Sequence, residues 1–346
     1  MIENVAEGTP TPYESDALPA GPVDAVVIGG GVAGLNGALM LARSRRSVVV
    51  IDGGALRNAP AEGVHGLLGL EGTPPAELLA KGREEVRGYG GLIVSGQVTE
   101  AVPAPAGALG DEPSFDITLA DGRSLTARRV LVATGLRDVL PEVPGLAEHW
   151  GHSVLHCPYC HGWEVRDEPV GILAVGPASV HHALLFRQLT DDLVYFARGT
   201  ELDEDTRARF AARGIRVVDA PVEGVVRAEG GGIAGVRLAD GEFVERGVLA
   251  VATSMQVRAE GLEGLGLPME ELPGGMGRRF ASGTAGATSV PGVWVAGNAA
   301  EPVAQVGASA AAGALAGARI NADLAEADTE AAFAVGRLDL AVGGKV

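Results

Sequence analysis

The chain has 346 residues, 47% of them apolar, and a formal charge of −17. That length exceeds one ordinary core and points to two domains. The acidic balance argues against nucleic acid or anionic membranes as partners, and no apolar run approaches the roughly 20 residues that span a bilayer.

The segment before Val23 carries Pro10, Pro12, Pro19 and Pro22 among several acids. It lacks the basic and apolar regions of a signal peptide and is expected to be a loose tail over 1–22 in a cytoplasmic protein. Disulfides in that compartment are usually catalytic rather than structural. The only two cysteines, Cys157 and Cys160, stand three positions apart.

Val23–Gly29 reads as a buried strand, Gly29–Gly34 as a glycine turn, Val32–Ser44 as a helix and Ser47–Asp52 as a second strand. This is a βαβ unit. Ser114–Leu119 and Leu125–Ala133 read as strands about Asp121-Gly122. A second unit follows: Val170–Gly176 a strand, Ser179–Leu189 a helix, Leu193–Ala197 a strand. Ile233–Leu238 and Phe243–Ala252 form a further strand pair about Asp240-Gly241. Each strand pair ends in an Ala-Thr dipeptide, Ala133-Thr134 and Ala252-Thr253. Val293–Gly297 is a short strand, and an alanine-rich helix follows near Gln305–Leu324. Gly230–Gly232, Gly274-Gly275 and Gly283–Gly286 read as loops. The fold class is α/β, with two related dinucleotide-type domains.

In the first unit, Gly29 permits the tight turn, Gly31 lets the backbone approach a pyrophosphate, and Gly34 lets the helix pack on the sheet. Ala33 lies in the same turn. The helix N-terminus offers free N–H groups to phosphate. Asp52 ends the next strand about 20 residues on, where an acid binds a ribose hydroxyl. A glycine triplet alone is weak; strand, helix, strand and acid in order favour a dinucleotide site over a structural turn.

Four segments run in one order: Val26-Val27-Ile28-Gly29-Gly30-Gly31, Val132-Ala133-Thr134-Gly135, Cys157-Pro158-Tyr159-Cys160, and Thr288 through Gly297. In these the chain resembles the low-molecular-weight thioredoxin reductases. That resemblance implies FAD as cofactor and a homodimer. It also implies an FAD domain (23–140 and 254–346) split around an inserted nicotinamide-type domain (141–253) that carries the cysteine pair. The resemblance also implies that the last of these motifs, ending at Gly297 and Asn298, closes over the flavin ribityl chain, and that Thr134 and Gly135 bind the cofactor. Asn298 stands where the family has Asp, and Asn can still bond a hydroxyl. The helix near Gln305 and Val306 would aim its N-terminus at the flavin.

The cysteine spacing suits a disulfide at a helix N-terminus, where thiolate is favoured, with Pro158 in the first turn. Zinc is an alternative, since His156, Cys157, Cys160 and His161 are the right residue types. Adjacent residues rarely converge on one ion, however, and no second pair exists. Haem attachment through Cys-x-x-Cys-His and a glutaredoxin motif are further alternatives; no metal is expected. By resemblance, Cys160 is the thiol beside flavin and Cys157 exchanges with substrate. His161, where the family has an acid, can accept a thiol proton or simply pack. His156 and Glu301 are weaker candidates for the base, and His181 and His182 read as structural.

The second glycine turn departs from the family. Ala174-Val175-Gly176-Pro177-Ala178-Ser179 keeps one glycine, and Pro177 removes an N–H. Phe196-Ala197-Arg198-Gly199 has a single arginine where reductases specific for NADPH hold a basic cluster. The string His156 through Glu164 is similar to the flavin-dependent dithiol oxidases that close the disulfides of gliotoxin, holomycin and romidepsin. This resemblance implies a small-molecule dithiol substrate with dioxygen as electron acceptor. An NADPH-dependent thioredoxin reductase and a flavin-bound redox sensor remain alternatives.

Overall fold

In the computed structural model, residues 13–343 are described. Six helices occur among them: α1 Val32–Arg43, α2 Pro75–Gly88, α3 Pro158–His161, α4 Ala178–Phe186, α5 Glu204–Ala212 and α6 Val306–Gly343.

Val23–Ile28 is buried along almost its whole length, as a parallel strand covered on both faces must be. It lies inside a seven-stranded sheet, between Val48–Asp52 and Ser124–Val132, and Ile28 stands opposite both Ile51 and Val132. Leu92–Ser95 extends the sheet beyond Val48–Asp52, and Val293–Val295 joins the far end of Ser124–Val132. That strand serves two purposes. Its first half pairs antiparallel with Phe115–Leu119, and its second half is parallel core.

The two faces of this sheet bury separate apolar clusters, one of them under α1, α2 and α6. Small residues let α6 lie directly on α1. A Cβ at Gly313 would strike the Ala33 carbonyl, and one at Gly317 the Gly37 carbonyl. The expected helix near Gln305–Leu324 continues to Gly343.

The chain leaves this sheet through Leu136–Val139 and returns through Ser254–Val257. These two segments pair antiparallel in a small sheet with Met269–Glu271 and Gly277–Phe280. Between them lies the second unit. Its five parallel strands run in the order Arg216–Val218, Leu193–Phe196, Val170–Leu173, Val248–Val251, Val154–Leu155. The architecture is two Rossmann-like folds, the second inserted in the first.

Two expectations need correction. Phe243–Ala252 is not one strand. Phe243–Glu245 alternates exposed and buried residues in a three-stranded antiparallel sheet, whereas Val248–Val251 is wholly buried in the parallel sheet. The break falls where Arg246 turns aside to pair with Asp192 at 3.0 Å. The segment ahead of Val23 is also not loose from Tyr13 onward. The Asp16 amide donates to the Ile93 carbonyl at 2.9 Å, and the Ile93 amide donates to the Asp16 carboxylate at 2.7 Å. Arg87 grips the same carboxylate at 2.9 Å. The earlier part of that expected tail, 1–12, lies outside the described residues.

Two helices lack a sequence expectation. α2 begins at Pro75 in the first turn, where proline needs no N–H partner. α5 is capped by Asp203, which accepts from the Thr206 amide at 2.7 Å.

Candidate active site

A cavity of about 1150 Å³ opens between the two units. Gly29, Gly31, Ala33 and Asp52 line one part of it, and Thr134, Gly135, Asn298, Gln305 and Val306 line another. Cys157, Cys160 and His161 face the same space. Gly34 and Gly297 do not line it. A Cβ at Gly34 would strike the Gly29 carbonyl, and one at Gly297 would come within 2.7 Å of the Ala33 Cβ. Both are packing positions behind the cavity wall.

The glycine turn fits a pyrophosphate. Gly31 is the N-cap of α1, with no side-chain cap and no acid in the first turn. A Cβ there would meet nothing within 4 Å, so the backbone faces open cavity at a helix N-terminus. Asp52 packs against Gly30, so closely that a Cβ on Gly30 would collide with its carboxylate. The Gly54 amide donates to its Oδ1 at 2.9 Å.

Asn298 is partly committed to the chain itself. Its Nδ2 donates to the carbonyls of Glu301, Pro302 and Ala304 at 3.1, 3.1 and 2.9 Å, which folds the loop ahead of α6. Its Oδ1 remains to accept from a hydroxyl. Glu301 points away and pairs with Arg279 at 3.5 Å.

Cys157 and Cys160 form a disulfide with Cα atoms 5.2 Å apart. Cys157 is the N-cap of α3, and the Cys160 amide donates to its Sγ at 3.1 Å. This bond favours thiolate at Cys157 once the disulfide opens. Tyr159, between the two cysteines, is 63% exposed and lines the same cavity.

Five of the seven histidines line the cavity: His65, His156, His161, His181 and His182. Burial separates them. His156 Nδ1 lies 3.1 Å from the Val251 carbonyl, and burial pushes its pKa down despite the nearby Asp138. His182 Nε2 donates to the His156 carbonyl. Burial, with His156 beside it, lowers the His182 pKa to about 4. His161 is half-buried at the end of α3, and its imidazole has no hydrogen-bond partner among the described residues.

A buried network not singled out by the sequence reading braces the junction. Arg57 makes a bidentate pair with Asp138 at 2.7 and 2.9 Å, and Thr253 Oγ1 donates to the same carboxylate at 2.5 Å. Burial alone would raise the Asp138 pKa, but the Arg57 hydrogen bonds and charge outweigh it and hold the carboxyl below its ordinary value. Thr134 does a matching job, donating to the Arg258 carbonyl at 2.7 Å. The repeated Ala-Thr dipeptide was the available signal. Each threonine caps a parallel strand and ties it to the connector between the units.

The second glycine turn is satisfied internally. The Val175 amide donates to Ser179 Oγ at 3.0 Å. Arg198 turns its guanidinium onto the Ala174 carbonyl.

Paired dinucleotide folds with a disulfide facing the first fold's cavity define a flavin-dependent disulfide oxidoreductase. The chain belongs to the pyridine nucleotide-disulphide oxidoreductase family, whose model matches residues 23–317. It is therefore an FAD-binding flavoprotein of thioredoxin reductase-like fold. It is 36% identical over 261 residues, 73% of this chain and 79% of the relative, to thioredoxin reductase tcpT of Claviceps purpurea. It is 31% identical to thioredoxin reductase sirT of Leptosphaeria maculans, over 89% of this chain and 96% of that protein. The crystal structure of HlmI superposes with a TM-score of 0.85 at 41% identity, covering 94% of this chain and 100% of that one. No helix among the described residues is long and apolar enough to cross a membrane.

Proposed function

We propose that this protein is an FAD-dependent dithiol oxidase that closes a disulfide in a small-molecule dithiol, with dioxygen as final acceptor. One observation carries the reading. The disulfide opens on the cofactor cavity beside the exposed Tyr159, while the second dinucleotide turn has folded its own groups inward. The resemblance of His156 through Glu164 to the dithiol oxidases supports it.

The cysteines do the exchange. His161 takes the proton of one substrate thiol, and the resulting thiolate attacks Cys157 Sγ. The Cys157–Cys160 bond breaks, and Cys160 leaves as thiolate. The second substrate thiol, deprotonated, attacks the substrate sulfur of the mixed disulfide. Cys157 leaves as thiolate and accepts from the Cys160 amide. The substrate has lost two electrons and two protons, and the cysteine pair holds the electrons. FAD, which Gly29, Gly31 and Asp52 would hold in the same cavity, would supply the two-electron acceptor for the Cys160 side, with dioxygen as the final acceptor and peroxide as its product. Asp138, Arg57 and Thr253 hold the two units in register around the exchange.

The names of tcpT and sirT favour a second reading, an NADPH-dependent disulfide reductase. Aerobic turnover with a small dithiol separates the two. The oxidase reading expects steady peroxide production, one peroxide per disulfide formed, without NADPH. No peroxide from the dithiol in air, together with flavin bleached at once by NADPH, supports the reductase.

A further inference from the structure

The N-terminal segment enters the cofactor cavity. Tyr13 lines its wall, and the Arg83 guanidinium lies over the Tyr13 ring, 4.3 Å from the centroid. Arg83 comes from α2, is only 7% exposed, and also lines the cavity. Among the described residues it has no carboxylate partner and no hydrogen bond. One side of the guanidinium is held by the Tyr13 ring, and the side chain otherwise faces the cavity, where a ligand's acceptors can pair it. A site of this kind is built for a ligand that brings acceptors.

Its position says which part of the ligand. The pyrophosphate at the glycine turn divides a bound dinucleotide into two halves, and an acid at the end of the second strand binds the adenosine ribose. Asp52 is that acid. The Tyr13 hydroxyl is buried, and burial first, then the Asp52 carboxylate, push its ionisation well above the ordinary phenol value. The sheet order supports the same side. Val48–Asp52 and Leu92–Ser95 extend away from Val23–Ile28 in the direction opposite to Ser124–Val132, from which the chain departs to the inserted unit with its disulfide. Leu79, Gln97 and Val98 line the cavity here.

We propose that Tyr13 and Arg83 form the adenosine subsite for FAD. Arg83 donates to acceptors of the adenosine half, and Tyr13 holds the guanidinium in place. The segment ahead of Val23 is then a working part of the cofactor site. Its anchors suit that task. The Ser95 amide donates to Ser15 Oγ at 3.0 Å, and Arg87 Nη2 donates to the Glu14 carbonyl at 2.5 Å. Together with the Asp16 contacts they lay residues 14–16 along the sheet edge and deliver Tyr13 to Asp52.

The test uses the full chain stripped of flavin. FAD affinity is read by quenching of flavin fluorescence, and ADP affinity by calorimetry. Arg83→Met keeps the aliphatic stem and removes the charge; Tyr13→Leu keeps bulk and removes the ring. Each is expected to weaken FAD about ten- to a hundredfold, the range for a lost charged hydrogen bond, and to weaken ADP by a similar factor. Tyr13→Phe, which keeps the ring, should stay within about threefold of the parent. FAD affinities within about twofold of the parent for both variants would overturn the proposal. So would FAD weakened while ADP is unaffected, because the contact would then lie outside the adenosine half. Should Arg83→Met fail to fold, Tyr13→Leu decides alone, since Tyr13 lies outside every helix and strand.

Discussion

Arg198 donates from Nη1 to the carbonyl of Ala174 at 2.9 Å, from a backbone held at a left-handed φ of 49°. Ala174 follows the central strand of the second unit, where a bound nicotinamide dinucleotide needs free donors. The guanidinium is turned inward instead, the Val175 amide is taken by Ser179, and Pro177 has no amide hydrogen to give.

Excess NADPH or NADH under anaerobic conditions should therefore leave the flavin oxidised for minutes. Arg198→Ala should not restore reduction, because Pro177 and Ser179 still withhold their groups. The flavin absorbance reports the outcome directly. Rapid stoichiometric bleaching of the parent protein would overturn the oxidase reading in favour of the reductase.

Gly31 and Gly34 make opposite demands on one turn. A Cβ at Gly31 enters open cavity, so Gly31→Val should fold normally and bind no FAD. A Cβ at Gly34 strikes the Gly29 carbonyl, so Gly34→Ala should cost about 1–3 kcal/mol of stability through overpacking. Flavin content after purification and thermal melting of the apoproteins separate the two effects. Equal stability losses at both positions would remove the pyrophosphate role of Gly31.

Neither cysteine can cycle a disulfide alone. Cys157→Ser and Cys160→Ser should each abolish dithiol oxidation while retaining FAD. Only Cys157→Ser keeps the thiol assigned to the flavin side, so a long-wavelength thiolate–flavin absorption should appear in that variant. Its appearance only in Cys160→Ser would reverse the two roles.

The cysteine pair and the glycine turn were legible in the sequence because their parts are near neighbours along the chain. A turn, a cap and a disulfide over four residues are set by local geometry. The brace of Arg57, Asp138, Thr253 and His156 was not legible. Asp138 stands 81 residues from Arg57 and 115 from Thr253, and they meet only after both sheets have formed. Arg198 was read correctly as a lone cation, but its inward turn depends on a left-handed residue that the sequence does not mark. The break inside Phe243–Ala252 was present as a change from alternating to continuous apolar residues. A turn dipeptide does not mark that change, so the two strands read as one. Tyr13 was hidden in a proline-rich segment whose composition resembles a free tail.

His182 gives the stability a defined acid dependence. Burial lowers its folded pKa to about 4, from the ordinary histidine value of 6.5. A depressed histidine pKa means the folded state resists the proton. The stability it supports is complete above pH 6.5 and is lost as pH falls toward 4. Between about pH 7 and 5 this amounts to about 2 kcal/mol. His182→Gln can still donate to the His156 carbonyl but does not titrate, so its urea midpoint should fall less over that interval. Parallel acid profiles for parent and variant would show that His182 is protonated equally in both states.

In the proposed exchange, we assign the base to His161. His156 is tied to the Val251 carbonyl and depressed by burial, and His182 is depressed further. The His161 imidazole closes α3 beside the disulfide and is free to meet an entering thiol. A small dithiol with thiol pKa near about 8.5 is mostly protonated at neutral pH. An imidazole can accept that proton without holding it too tightly. Removing general-base assistance typically costs about 100- to 10,000-fold. His161→Ala should therefore lower dithiol turnover by that order at neutral pH and leave FAD content intact. The defect should shrink as pH rises toward the thiol pKa, because substrate thiolate then forms without help. A loss that is the same at every pH would mark His161 as a packing residue. Unchanged turnover at neutral pH would remove it from the mechanism and pass the role to His156, whose alanine variant should then show the pH-dependent defect.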